Sequence, residues 1–314
     1  MSSSFGGFAL IRACACTLFA LICTLLFAGR STAAEFQPVP ATAIEDVVYG
    51  HKDGLALTMD VLTPQENPKG IGIVLISSGG WRSRKSNVPS EEEPRKREHW
   101  VQGLLKGGYT LFVTRHGSGP RYFVPEMVED VRRAVRFVRF HAADYHVDPA
   151  HLGITSGSSG GHLSLMVGLT GDDGNKDSKD VVEQQSSRVQ AIVAWFPPTD
   201  MINWGEDAGW KAIEEKRPGF LKSLFGEMND PEAQLRSISP IYHVTADDPP
   251  VLLIHGDKDK TVPLQQSEIF KAKCEAIGLP VELIVQPGGG HSWWPGILNH
   301  YDAVTAWFDK YLSK

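Results

Sequence analysis

The sequence predicts an α/β fold, a mostly parallel sheet with helices on both faces, on three observations. From Ile71 onward, short apolar runs alternate with amphipathic segments, which is the pattern of successive strand–helix units. Ahead of them, residues 44–50 and 55–62 read as two paired strands joined at His51-Lys52-Asp53-Gly54, an antiparallel start. Four segments carrying reactive or small residues fall just beyond predicted strand ends, the edge at which sites assemble in such sheets.

The N-terminus stands apart. Residues 1–12 are small and polar with one positive charge, 13–28 form an uncharged apolar run, and Thr32-Ala33-Ala34 supplies the small residues a signal peptidase needs. Residues 1–34 therefore read as a secretory signal peptide, ahead of a single domain at 35–314. The run is short for a spanning helix, so the expectation is a secreted or periplasmic protein without stable membrane insertion after cleavage. Cys14, Cys16 and Cys23 lie inside that leader, leaving Cys274 as the one cysteine of the mature chain, with no internal disulfide. Cys274 falls in the helical pattern Ile269, Phe270, Cys274, Ile277 and reads as core filler. A net charge of −6, a pI near 6.0 and the lack of a basic stripe argue against a nucleic-acid partner.

In chain order, Ile71 to Ser77 is a buried strand that runs into Ser78-Gly79-Gly80-Trp81. Trp100 to Lys106 reads as helical, and Tyr109 to Thr114 is the next strand. A helix begins near Pro125, with Met127, Val128, Val131, Ala134, Val135 and Val138 on one face; Arg132, Arg133, Arg136 and Arg139 lie off it and read as a solvated surface. Leu152 to Thr155 is a strand, followed by a tight turn and a helix. The stretch Gly171 to Arg188 reads as a surface loop whose aspartates match no calcium-binding spacing, and no metal or organic cofactor is implied. After a strand at Val189 to Phe196, residues 197–240 show no strand but contain Trp204, Trp210, Phe220 and Phe225, the place for a small cap insertion. Strands at 251–255 and 281–286, a helix at 264–277 and a closing helix at 300–312 complete the chain.

The chemistry centres on Gly157-Ser158-Ser159-Gly160-Gly161, a strand-to-helix turn. Its glycine register, G-x-S-x-G, selects Ser159 rather than Ser156 or Ser158 as nucleophile. A serine hydroxyl needs a base, and the base needs an orienting group. His291, in Pro287-Gly288-Gly289-Gly290-His291 after the last strand, is the base that position selects. Asp257 and Asp259 share one turn after the preceding strand, and either could orient it.

The segment His255-Gly256-Asp257-Lys258-Asp259-Lys260-Thr261-Val262-Pro263 resembles the H-G-x-x-D-x-x-V-P segment of α/β-hydrolases, in particular their prolyl oligopeptidase-like and secreted esterase branches. The resemblance covers essentially the whole mature chain, and the order serine, aspartate, histidine is that of the α/β-hydrolase fold. It implies Asp259 as the acid, His255 as a structural residue, and a carboxylic ester hydrolase acting through an acyl-enzyme. Related esterases carry an H-G-G-G-W loop after the third strand. Here the loop is Ser77-Ser78-Gly79-Gly80-Trp81, with serines in place of the histidine, which steadies the loop in relatives, and of the first glycine. The resemblance implies oxyanion donors among the backbone N–H groups of Gly79, Gly80, Trp81 and Gly160. Trp81, Trp293 and Trp294 would make an aromatic rim suited to a sugar ring or aromatic acyl group, as in acetyl- or feruloyl-esterases of plant polysaccharide. Two other readings remain at this point: a prolyl oligopeptidase-like peptidase, although no N-terminal propeller is present, and a non-catalytic binding protein on the same scaffold.

Overall fold

The computed structural model describes Met1 and residues 39–84, 101–205, 209–227, 229–293 and 296–313. Beyond Met1, the proposed signal peptide lies outside the described residues. Strands β1 (Ala41–Lys52) and β2 (Leu55–Pro64) form the antiparallel hairpin, turning at Asp53 and Gly54. They are followed by β3 (Gly72–Ile76), β4 (Thr110–Thr114), β5 (Leu152–Gly157), β6 (Ala191–Trp195), β7 (Val251–Gly256) and β8 (Val281–Gln286). All eight join one sheet in the order β1-β2-β4-β3-β5-β6-β7-β8, parallel from β4 to β8. Five of these strands, β3 to β7, are buried along their whole length, because helices cover both faces and each strand must be apolar on both sides.

Alternate residues of each strand feed two cores. One packs against α1 (Val124–Phe140), α2 (Ser159–Leu169) and α6 (Gln265–Ile277), and includes Val251, Leu253, Phe270 and Cys274. The other, with Leu252 and Ile254, packs against a helical segment at 101–106 and the closing helix α7 (Tyr301–Leu312). Burial pushes the Cys274 thiol up to about 12, so it is inert as a nucleophile.

The α1 arginines differ from the sequence expectation. Arg136 is buried and pairs with Asp172 and Glu183; Arg133 pairs with Asp180 and Glu183; Arg132 and Arg139 donate to backbone carbonyls of Thr170, Pro149 and Arg188. The series is a row of anchors for the loop between α2 and β6, whose carboxylates and carbonyls offer more acceptors than a short polar loop can satisfy internally. Among the described residues, 197–240 hold no strand. They contain α3 (Gly209–Lys216), α4 (Phe220–Phe225) and α5 (Pro231–Ser237).

Two features place the site. The chain runs from β3 to β4 on one side and to β5 on the other, so β3 and β5 flank a topological switch point, and the loops leaving their C-terminal ends face a common crevice. The helix leaving β5, α2, is buried at every residue. Within it, the His162 ring is sandwiched between loops. Nδ1 accepts from the Trp81 indole N–H at 3.2 Å, so Nε2 carries the proton and donates to the Ile238 carbonyl at 2.7 Å.

Burial lowers the His162 pKa to about 4, against the partial support of the Ile238 carbonyl. The neutral ring is the folded form, and protonation at Nδ1 would set an N–H against the Trp81 N–H. Between pH 4 and pH 6.5 the unfolded chain binds the proton and the folded chain does not. The contribution of this histidine is therefore complete above pH 6.5 and declines as pH falls towards 4, a loss of about 2 kcal/mol at pH 5. Urea unfolding at pH 7.5 and pH 5 should show a steeper acid loss for the wild type than for His162→Asn; equal slopes would refute it.

Candidate active site

The β5–α2 turn puts its strained corner one residue before the serine that the glycine register selects. Ser158, not Ser159, holds the strained corner, with φ 54° and ψ −126°. A non-glycine residue costs roughly 1–3 kcal/mol there and persists only where the surroundings enforce it. Its N–H donates to the Trp195 carbonyl at the end of β6, and α2 starts at the next residue. The small residues that the corner needs on either side are Ser156 and Gly160. A Cβ on Gly160 would lie 2.1 Å from the Ser156 hydroxyl and 3.1 Å from Ser78 Cβ, so this position admits only glycine. The two-glycine register thus misleads: small-x-Ser158-x-Gly160 is the working pattern, with Ser156 taking the place of the first glycine. Ser159 is 1% exposed and turned into the protein, whereas Ser158 is half-buried.

His291 completes the assignment. Its Nε2 lies 3.0 Å from Ser158 Oγ and its Nδ1 lies 2.7 Å from Asp259 Oδ2. The ionised carboxylate can only accept, so Nδ1 carries the proton and Nε2 is free to take one from the Ser158 hydroxyl. Asp259 comes from the turn after β7, and its other oxygen accepts from the N–H groups of Thr261 and Val262 at 2.8 and 2.9 Å. Burial alone would raise the Asp259 pKa. The hydrogen bonds from His255 and His291, with the Val262 N–H, outweigh it and hold the carboxyl well below the usual range. His255 is fully buried, donates from Nε2 to the Val262 carbonyl at 2.9 Å and meets the Ser267 hydroxyl at 2.7 Å, which pins the turn to α6. Phe196, at the end of β6, packs its ring edge-on against the His291 imidazole, with centroids 4.7 Å apart.

Asp257, the other candidate acid, does something else. Its Oδ1 accepts from the Gly288 N–H at 2.7 Å, while its own N–H reaches the Gln286 carbonyl and the Lys258 N–H reaches the Gly289 carbonyl. The acid turn and the histidine loop are thereby laced together ahead of His291.

The glycine loop after β3 stands opposite. Gly79, Gly80 and Trp81 follow one another at φ 133°, 67° and 57°, a curve that two glycines permit and that Trp81 joins only because its side chain is fixed. The expected donors need correcting. Ser159 follows the corner serine, and its N–H opens α2. The Gly160 N–H instead points to Ser78 Oγ at 3.3 Å, and the Gly79 N–H to Ser159 Oγ at 3.2 Å. The expected aromatic rim is also revised. Trp81 is buried, with its indole on His162 and its ring against Phe220, so it is packing rather than a substrate surface. Trp293 packs between Phe196 and His300, and Trp294 lies outside the described residues.

Comparison with known proteins agrees with this architecture. Residues 59–274 match the BD-FAE family. Among curated relatives, the probable carboxylic ester hydrolase LipM of Mycobacterium tuberculosis is 29% identical over 72% of this chain and 50% of its own length. Esterase LipQ of the same organism is 30% identical over 56% of this chain and 40% of its own. The chain thus spans half or less of the length of these two relatives. A truncated carbohydrate esterase from gut microbiota superposes with a TM-score of 0.74 at 28% identity, covering 89% of this chain and 99% of that one. An acetyl ester-xyloside bifunctional hydrolase from Caldicellulosiruptor lactoaceticus shares the fold with a TM-score of 0.69 at 24% identity, over 88% and 98%. With its switch-point crevice and the chain order Ser158, Asp259, His291, this chain has the α/β-hydrolase fold and belongs to the BD-FAE family.

Proposed function

We propose that the protein is an exported serine hydrolase of carboxylic esters, with Ser158 as nucleophile. The observation that carries the reading is the unbroken path Ser158 Oγ, His291 Nε2, His291 Nδ1, Asp259 Oδ2, at 3.0 and 2.7 Å, set at the strained corner of Ser158. Ser158 Oγ attacks the acyl carbon while His291 Nε2 takes its proton. The carbonyl oxygen becomes an oxyanion at the N-terminus of α2, where backbone N–H groups meet it. His291 returns the proton to the leaving alkoxide, the acyl group stays on Ser158, and water deacylates it by the same route. A non-catalytic protein on this scaffold would have no need to keep the strained corner and the aligned base together.

Esters of carbohydrate, including acylated plant polysaccharide, are the substrate class we favour. The likeness to a carbohydrate esterase along nearly the whole domain supports this. Export rests on the leader sequence, and mass spectrometry of protein recovered outside the cytoplasm should give an N-terminus at Glu35; an intact Met1 would count against it.

Hydrolysis of p-nitrophenyl acetate, longer acyl esters, methyl ferulate, acetylated xylan and a proline-linked amide by the purified protein tests the class. Ester turnover is expected, and amide turnover with little ester turnover would move the protein to the peptidases. Ser158→Ala should lower kcat by roughly 10⁴-fold or more, and Asp259→Asn by about 10⁴-fold because the histidine loses its tautomer. Asp257→Asn keeps an oxygen for the Gly288 N–H and should stay within about threefold of wild type. Full ester turnover by Ser158→Ala would overturn the assignment.

A further inference from the structure

The loop after β3 departs from the H-G-G-G-W pattern at two serines, and the helix start carries a third serine, Ser159, that the reaction does not use. These groups are in contact. Ser78 Oγ lies 2.6 Å from the Gly157 carbonyl, to which it can only donate. Its single proton being committed there, the 3.3 Å contact between Ser78 Oγ and Ser159 Oγ must be donated by Ser159. Ser159 Oγ in turn accepts from the Gly79 N–H at 3.2 Å, and the Gly160 N–H adds a second donor to Ser78 Oγ at 3.3 Å. The result is one directed chain: Gly79 N–H to Ser159, Ser159 to Ser78, Ser78 to the carbonyl of the residue before Ser158. Each bond polarises the next.

We propose that Ser78 and Ser159 are positioning residues whose paired hydroxyls set the oxyanion loop relative to the nucleophile. The proposal rests on the Ser158 reading above. Gly79 and Gly80 lack the Cβ that would restrict their peptide, and their backbone sits at positive φ, so nothing intrinsic to them favours the observed orientation. The Ser159 hydroxyl supplies that preference by claiming the Gly79 N–H. The N–H groups of Gly80 and of Ser159 itself are then the pair that meets the oxyanion. Ser77 secures the other end of the loop: its hydroxyl accepts from the Arg84 N–H at 3.0 Å, and its carbonyl meets the buried His116 Nε2 at 3.1 Å. Without the hydroxyl chain, the Ser78–Gly79 peptide can rotate, and the Gly80 N–H one residue further on loses its fixed position relative to Ser158.

The test uses Ser159→Ala, Ser78→Ala and Ser78→Thr, with Ser158→Ala as reference. Both alanine variants should lose about 10- to 100-fold in kcat with KM within about threefold, a transition-state effect of oxyanion-hole size. Affinity for a trifluoromethyl ketone analogue should fall by the same factor, and Ser78→Thr, which keeps the hydroxyl, should recover most of both. A fluorophosphonate should still label Ser159→Ala stoichiometrically and should not label Ser158→Ala. If kcat and ketone affinity are unchanged in both alanine variants, or if KM alone rises, the positioning role is wrong. Loss of phosphonate labelling in folded Ser159→Ala, with labelling kept in Ser158→Ala, would instead overturn the nucleophile assignment. Should Ser159→Ala fail to fold, the Ser78 pair decides the proposal by itself.

Discussion

The strained backbone at Ser158 is the constraint on which the rest of the site depends. A corner with φ 54° and ψ −126° is disfavoured for any residue with a Cβ, so the fold must hold it from several sides. β6 accepts its N–H through Trp195, the Ser156 hydroxyl ties β5 to β3 through the Ile76 carbonyl at 2.7 Å, and Gly160 lets α2 close over Ser156. These restraints come from the most buried strands of the sheet. The corner is therefore built where local opening is rarest, and its cost is spread across a core that would form anyway.

From this corner the site extends along two arms that the structure fastens differently. The base and acid arm hangs from β7 and β8 and is held by polar bonds: the Thr261 and Val262 amides on Asp259, His255 beneath, and the Asp257–Gly288 link. The other arm, the glycine loop, hangs from β3 and is held by serine hydroxyls where related esterases carry a histidine, together with Trp81 on His162. His162 has a further consequence, since its other nitrogen binds Ile238 next to α5. One imidazole thereby joins α2, the glycine loop after β3 and the segment 197–240.

The fold was legible in the sequence because each buried parallel strand is an uninterrupted apolar run and each surface helix has one apolar face; those signals are local. The hairpin followed from the same logic, whereas His291 was read from its loop after the last strand and Asp259 from the resemblance of its segment to α/β-hydrolases. The corner serine was not legible. Gly157-Ser158-Ser159-Gly160-Gly161 satisfies the two-glycine pattern at Ser159, but the corner requires small residues two positions away, and serine at 156 is small enough. What separates the registers is the contact between Gly160 and Ser156, a distance that no spacing rule contains. The arginines of α1 misled for a related reason: periodicity shows that they leave the apolar face, but not that a carboxylate-rich loop folds back to meet them. Trp81 reads as a rim residue because it follows the glycine loop after β3, and its burial depends on His162 and Phe220, both distant in sequence.

Cys274 gives the molecule an internal reporter. It sits on α6, the helix that begins just past the acid turn and is pinned to it through Ser267 and His255. Its side chain is sealed between that helix and β7, and a buried thiol held near pKa 12 reacts with nothing while the helix stays docked. The rate at which a disulfide reagent captures this sulfur thus measures how often α6 lifts from the sheet, and so how often the ground beneath Asp259 gives way while the polypeptide remains folded elsewhere.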